Sequence, residues 1–271
     1  MGTGDLTNLS NVKAWLGIAS SITTADALLN RLISSASSFV LNFLNRDTLT
    51  LTQYSEVYDG YGNTFMVVRK SPVWSVQALG LAGTPVQAAT GDGFTSPVTQ
   101  GYRMEPEYSV LGSQRLNLYG YVFPRARASI ALRYMAGYVK QNEPQTIPAS
   151  PYVVTTHDIW LADVGVTLAD GTVLTLVTGT PTTGQYKVDA SGNYTFAAAD
   201  TTKAILITYS YVPPDIEQVA CELVGERYRY MDRIGIVSKS LGGQETVSFS
   251  QAAMNAYTRE LLVPYKQVVP V

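Results

Sequence analysis

Apolar residues recur at helical spacing in three stretches of the chain and at alternating positions over most of what lies between them. The strongest stripe comes late. Ile216, Val219, Ala220, Leu223, Val224, Tyr228 and Met231 share one face, while Glu217, Glu222, Glu226, Arg229 and Arg233 fall mostly off it. Pro213 and Pro214 pre-set the helical φ in a first turn that needs no donor, and Asp215 and Glu217 place negative charge at the positive end of the dipole. This predicts a helix over 213–231. Near the start, Ser10 is read as the cap of a short helix over 11–16, with Val12, Trp15 and Leu16 on its apolar side and Gly17 as its stop. Thr23 or Thr24 would cap a second helix of about five turns, striped by Leu28, Leu29, Leu32, Ile33, Ala36, Phe39, Val40, Phe43 and Leu44. Ser34, Ser35, Ser37 and Ser38 are poor helix formers but permit close packing, against the late helix or another copy.

Between residues 50 and 138 the period shortens to two. Runs at 53–58 and 64–69 flank Asp59-Gly60-Tyr61-Gly62-Asn63, a hairpin signal. Further strands are predicted at 73–79, 115–118 and 128–134, with an exposed loop at 88–97. Residues 141–151, with Pro144, Pro148 and Pro151, read as a linker. Short β-rich runs separated by tight turns then fill 152–211, as in a small sandwich or barrel. This segment leads directly into the late helix, so it reads as a domain inserted into another. The expected fold is α+β: a helical bundle core with a small antiparallel sheet region (1–140 with 212–271), plus an inserted all-β sandwich or barrel-like domain (145–211). After Met231 a polar, glycine-punctuated loop is expected over 232–248, followed by a helix over 250–262 and an extended arm over 264–271.

Composition changes this picture little. A chain of 271 residues that is 46% hydrophobic and 15% charged is a packed protein. Its 18 tyrosines are many, and tyrosine is favoured at protein interfaces. The formal net charge of −2 offers no basic footprint for gripping nucleic acid. Residues 152–211 hold two basic and five acidic groups, −3 locally, which leaves +1 for the rest. No apolar run approaches the ~20 residues needed to span a bilayer. The opening MGTGDLTNLS has neither the basic nor the apolar region of a signal peptide.

Candidate chemistry is sparse. His157 is the only histidine, so neither a choice of catalytic triads nor a histidine metal cluster is available, and beside Asp158 it reads as structural. There is no phosphate-binding G-x-x-x-x-G-K-[ST] loop, and the aspartates of the later β segment lack calcium-loop spacing and sit where turns want them. Cys221 is alone, which excludes an internal disulfide, and reads as a small buried group. No catalytic, cofactor or metal residues are assigned.

The outer parts of the chain resemble the head–tail connector (adaptor) family of tailed bacteriophages. The resemblance rests on DLTNLSNVKAWLGI at 5–18, ALLNRLISSAS at 27–37 closed by LNR at 44–46, RYMAGY at 133–138, PDIEQVACELVGERY at 214–228 and DRIGIVSKSLGGQETVSF at 232–249. In the plain family pattern the AGY strand runs almost directly into the P-x-D-I-E-Q helix. Here some 70 residues intervene, in line with an insertion.

The resemblance implies a virion protein without enzymatic activity: a homo-dodecameric ring that docks under the portal, extends the DNA channel and offers the attachment surface for tail proteins. DNA would pass through without sequence-specific binding, and no cofactor or membrane is involved. Arg233, Lys239 and Glu245, on the loop after the late helix, with Tyr257 and Tyr265 near the C-terminus, are the expected interaction residues. The inserted domain would decorate the periphery. The alternative is a phage-borne β module for carbohydrate or host-surface binding, which would present aromatics such as Trp160 and Tyr186.

Overall fold

The computed structural model describes residues 4–110, 114–231, 238–241, 245–248 and 254–267, the two short runs in backbone only. The chain forms two compact units, Met1–Asp47 with Val212–Lys266, and Thr48–Tyr211 with Gln267–Val271.

The first unit carries the helices. α1 (Leu9–Leu16) is capped by Asn8, whose side chain accepts the Asn11 N–H at 2.8 Å. The expected cap, Ser10, lies inside the first turn. Gly17 ends the helix in the left-handed conformation at φ 71°. α2 (Asp26–Phe43) has no side-chain cap, and the Thr23 carbonyl takes the Asp26 N–H at 3.1 Å in place of a threonine hydroxyl. Leu29, Ile33, Ala36 and Val40 bury its apolar face. Ser37 is buried as well, and its Oγ accepts the Leu6 N–H at 2.9 Å. Ser34 Oγ donates to Asp5 Oδ1 at 3.0 Å, so two of the four small serines anchor the chain's own N-terminal segment.

α3 (Pro214–Tyr230) starts within the double proline, and five residues of the predicted stripe, Ile216, Val219, Ala220, Leu223 and Val224, are buried, while Tyr228 is half-buried and Met231, just past the helix, is exposed. It packs against α1 and α2, and α4 (Ala256–Leu262) packs against it in turn. Cys221 is buried with its Sγ 3.0 Å from Thr7 Oγ1, and burial pushes the thiol up to about 11. α4 is shorter than the expected helix, because Asn255 caps it by accepting the Thr258 N–H at 2.8 Å.

The second unit carries the sheets. β1 (Thr52–Tyr58), β3 (Val73–Leu81), β4 (Thr84–Val86) and β7 (Ile130–Ala136) form an antiparallel sheet in the order β1-β7-β3-β4. Strand β7 alternates cleanly, with Ile130, Leu132, Tyr134 and Ala136 buried. β2 (Phe65–Met66), β5 (Gly101–Glu105) and β6 (Arg115–Tyr119) form a second antiparallel sheet, ordered β2-β6-β5. The hairpin expected at residues 59–63 is therefore a crossover. Tyr58 pairs with Ile130 on one sheet and Phe65 with Asn117 on the other. Gly60 and Gly62 donate their N–H groups to the carbonyls of Ala126 and Phe123, both at 3.0 Å, and not across a local turn. Turn chemistry signals a reversal but cannot say which strand lies beyond it.

β8 (Val139–Thr146), β10 (Ile159–Leu168) and β14 (Ala204–Val212) make a three-stranded sheet in the order β10-β14-β8. Half of the expected linker at 141–151 is thus strand β8. Pro144 fits there because β8 is an edge strand, where a missing donor goes unnoticed. The last sheet of this unit is β11 (Thr175–Leu176), β12 (Gln185–Val188), β13 (Asn193–Phe196) and β9 (Val153–Thr155), ordered β11-β12-β13-β9. In the first unit, β15 (Ser238–Leu241) and β16 (Glu245–Ser248) pair as a hairpin where a loop was expected.

Candidate interaction surface

Between the first two sheets opens a cleft of about 380 Å³, floored by Met66, Phe123 and Ile130 and edged by Val57, Phe65 and Val67. Its edges are held from several directions. The Phe123 N–H donates to the Asn63 carbonyl at 2.9 Å, and Asp59 Oδ1 accepts the Ala128 N–H at 2.7 Å. Val57, Tyr61, Phe65 and Val67 are all exposed, an unusual density of large apolar groups. Cations rim them. The Arg69 guanidinium lies 4.5 Å over the Tyr58 ring and that of Arg115 lies 5.1 Å over Phe65, while Arg125 and Arg127 stand exposed beside Tyr61.

Beneath the cleft, the Glu56 carboxylate accepts the hydroxyls of Tyr58 and, at 2.8 Å, Tyr134. Each phenol oxygen in turn accepts a backbone N–H, from Arg69 and Lys70, both at 3.1 Å. Burial, then the bond to Glu56, pushes Tyr58 up to about 12. These bonds tie β1 and β7 to the Arg69–Lys70 backbone and so hold Tyr58 and Arg69, two residues of the cleft lining. The sequence reading missed this surface. Its signal was the run Phe65-Met66-Val67-Val68, which breaks strict alternation without being long enough for a buried strand.

Four of the five predicted interaction residues lie among the described residues. Arg233 lies outside the described residues. Lys239 faces Val247 and Leu241 faces Glu245 in the β15–β16 register. Tyr257 is exposed on α4. Tyr265 is buried, with its hydroxyl donating to Asp215 at 2.8 Å and its carbonyl accepting from Arg46 Nε at 2.9 Å.

His157 is exposed, with Nδ1 3.2 Å from Asp158, whose carboxylate also pairs with Lys140 at 3.2 Å. Among the described residues no group of three or more His, Cys, Asp or Glu side chains could hold a metal ion, and no helix is long and apolar enough to cross a membrane.

Among the described residues, four α-helices and a set of largely antiparallel sheets make this a mixed α+β protein with an open apolar surface. Residues 6–64, which carry α1, α2, β1 and the crossover, match the model of the phage gp6-like head-tail connector protein family. The match supports a phage head–tail connector family and, with it, a structural connector role. No curated protein matches the chain.

Proposed function

We propose that the protein is a connector ring at the head–tail interface of a bacteriophage, docking on the portal on one side and on tail proteins on the other, with DNA passing through its channel. The family match over 6–64 is the observation that carries this reading. The ring is a homo-oligomer, a dodecamer by analogy with such connectors, and its role is structural and not catalytic. Antibody against the protein, gold-labelled on intact virions, is expected to mark the head–tail junction. Label on the capsid faces or the tail tip would overturn the reading. Carbohydrate binding draws no support from the aromatics it needs. Tyr186 is buried with its hydroxyl on Asp163 at 2.6 Å, and the Trp160 indole N–H donates to the Tyr194 hydroxyl at 3.1 Å.

The β segment after Tyr138 is, in this reading, an insertion that decorates the ring. Two observations support it. Among the described residues, the buried members of the cluster around β7 all lie between Tyr58 and Ala136. The ends of the segment also meet, because the Tyr211 N–H donates to the Tyr138 carbonyl at 3.1 Å and Ser210 pairs with Val139. Adjacent ends make a segment removable. Replacing residues 140–209 by Asn-Gly, the dipeptide of a tight hairpin, is expected to leave a folded chain with cooperative melting. Insoluble or molten product would show that the segment is integral to the fold.

A further inference from the structure

One loop of the second unit is built to hold an aromatic ring in solvent. Phe94 is 97% exposed at the tip of residues 88–100, and yet the loop around it is closely tied. Asp92 Oδ1 accepts the N–H groups of Phe94, Thr95 and Ser96 at 2.9, 2.8 and 3.0 Å, and Oδ2 accepts the Thr95 hydroxyl at 2.7 Å. These bonds hold the Asp92 carboxyl well below the usual carboxylate range. The Gly93 N–H donates to the Ser96 carbonyl at 2.9 Å, and Thr99 donates to Thr90 at 2.9 Å across the base. The Arg103 guanidinium donates to the Gly91 carbonyl. Gly91 itself has φ 88°, and a Cβ there would stand 2.2 Å from the Pro97 carbonyl oxygen. A loop with this much internal bonding presents its ring with little left to order on binding.

The same unit carries a matching recess. The cleft edged by Val57, Phe65 and Val67 has the volume and lining for a phenyl ring, and Phe94 does not fill it in its own chain. Charge fits as well. Asp92 is the only charged residue between 88 and 100, whereas Arg69 lines the cleft, Arg115 lies over its Phe65 edge, and Arg125 and Arg127 line the adjoining recess beside Tyr61, against the carboxylates of Asp59 and Glu56. Knob and recess are different patches of one chain. Their joining is therefore a head-to-tail contact, the kind that closes into a ring when the rotation allows.

We propose that Phe94 of one subunit inserts into the Val57–Phe65–Val67 cleft of the next, with Asp92 against the arginine rim, and that this contact links subunits of the assembly. It deepens the ring reading and rests on it.

The test uses the full chain, whose one native cysteine, Cys221, is buried. Two single variants, Phe94→Cys and Val67→Cys, are mixed under mild oxidation. The expected product is a disulfide-linked dimer that forms in the mixture and not to a comparable extent with either variant alone. Phe94→Ala, at a fully exposed position, keeps the fold. It is expected to weaken self-association in sedimentation velocity by about tenfold to a hundredfold, the worth of one buried aromatic ring. Self-association unchanged in Phe94→Ala, or no cross-link specific to the mixture, overturns the contact. Virions labelled at the head–tail junction together with no such cross-link would remove this contact and leave the connector reading standing.

Discussion

Raising the pH through the range from 10 to 12 is expected to unfold the second unit steeply. Six of its tyrosines, among nine with raised phenols, are held well above the ordinary value of 10.0. Burial comes first in every case, and it pushes Tyr58 and Tyr108 up to about 12. Tyr134, Tyr186, Tyr194 and Tyr209 are raised further, each by burial and then by a neighbour: Tyr58 and after it Glu56 for Tyr134, Asp163 for Tyr186 and Tyr194, Glu143 for Tyr209. A folded-state value above the unfolded one means the native state keeps a proton that the unfolded chain has lost. The stability these phenols contribute is therefore complete below pH 10 and falls as the pH climbs above it, being used up near 12 for Tyr58 and Tyr108 and only at higher pH for the other four. Each phenol that is neutral when folded and ionised when unfolded removes about 1.4 kcal/mol per pH unit. Six acting together remove about 8 kcal/mol per pH unit, comparable with the whole stability of a typical domain. Urea melts at successive alkaline pH values check this. Tyr134→Phe is expected to lower the slope by one proton's worth, which separates the tyrosines from the lysines that titrate nearby. A stability that stays level to pH 12 would mean that these phenols ionise in place.

Replacing Gly60 by alanine is expected to destabilise the same unit by about 3 kcal/mol, at the upper end of overpacking effects. A Cβ at Gly60 would lie 1.9 Å from the Pro124 carbonyl oxygen and 2.9 Å from Ser129 Oγ. The obstacle is backbone, and it is held in place because the Gly60 N–H donates to the Ala126 carbonyl. Relief would have to open the crossover that edges the cleft, so the variant should also lose self-association if the Phe94 contact operates. Gly83→Ala is the control. Gly83 has φ 84° with nothing within 4 Å of its Cβ, so only backbone strain of about 1–2 kcal/mol is expected there. Thermal melts of the two variants decide. Equal losses would mean that the close approach at Pro124 relaxes freely.

The two glycines mark how far local reading reaches. Gly60 and Gly62 advertised a turn, and a change of direction is what the chain makes there. That the strands on either side join different sheets depends on β6 and β7, some 50 to 70 residues away. Pro144 marked a break in pattern and instead sits within β8, since only an edge position tolerates it and edge position is a property of the sheet. Asn8 rather than Ser10 caps α1 because a cap is chosen by where the helix axis starts, to within a residue or two that periodicity does not resolve. Of the interaction residues placed on the wording of the late motif, Lys239 and Glu245 fall on the paired strands β15 and β16, and Arg233 lies outside the described residues. The cleft and the Phe94 loop are assembled from segments far apart in the chain and carry no local signature.

What the sequence by itself determined is what depends on neighbours along the chain. That includes the α3 stripe and its double-proline entry, the glycine stop of α1, the α+β class and the connector wording of the first 64 residues. Its many tyrosines could be counted but not placed. Only the tertiary structure decided that Tyr58, Tyr134, Tyr186, Tyr194 and Tyr209 are buried with their hydroxyls on carboxylates, while Phe94, a more apolar ring, stands in solvent. The physical reason is that burial and pairing are set by which strands meet, and a residue's own type and spacing say only that it could be buried.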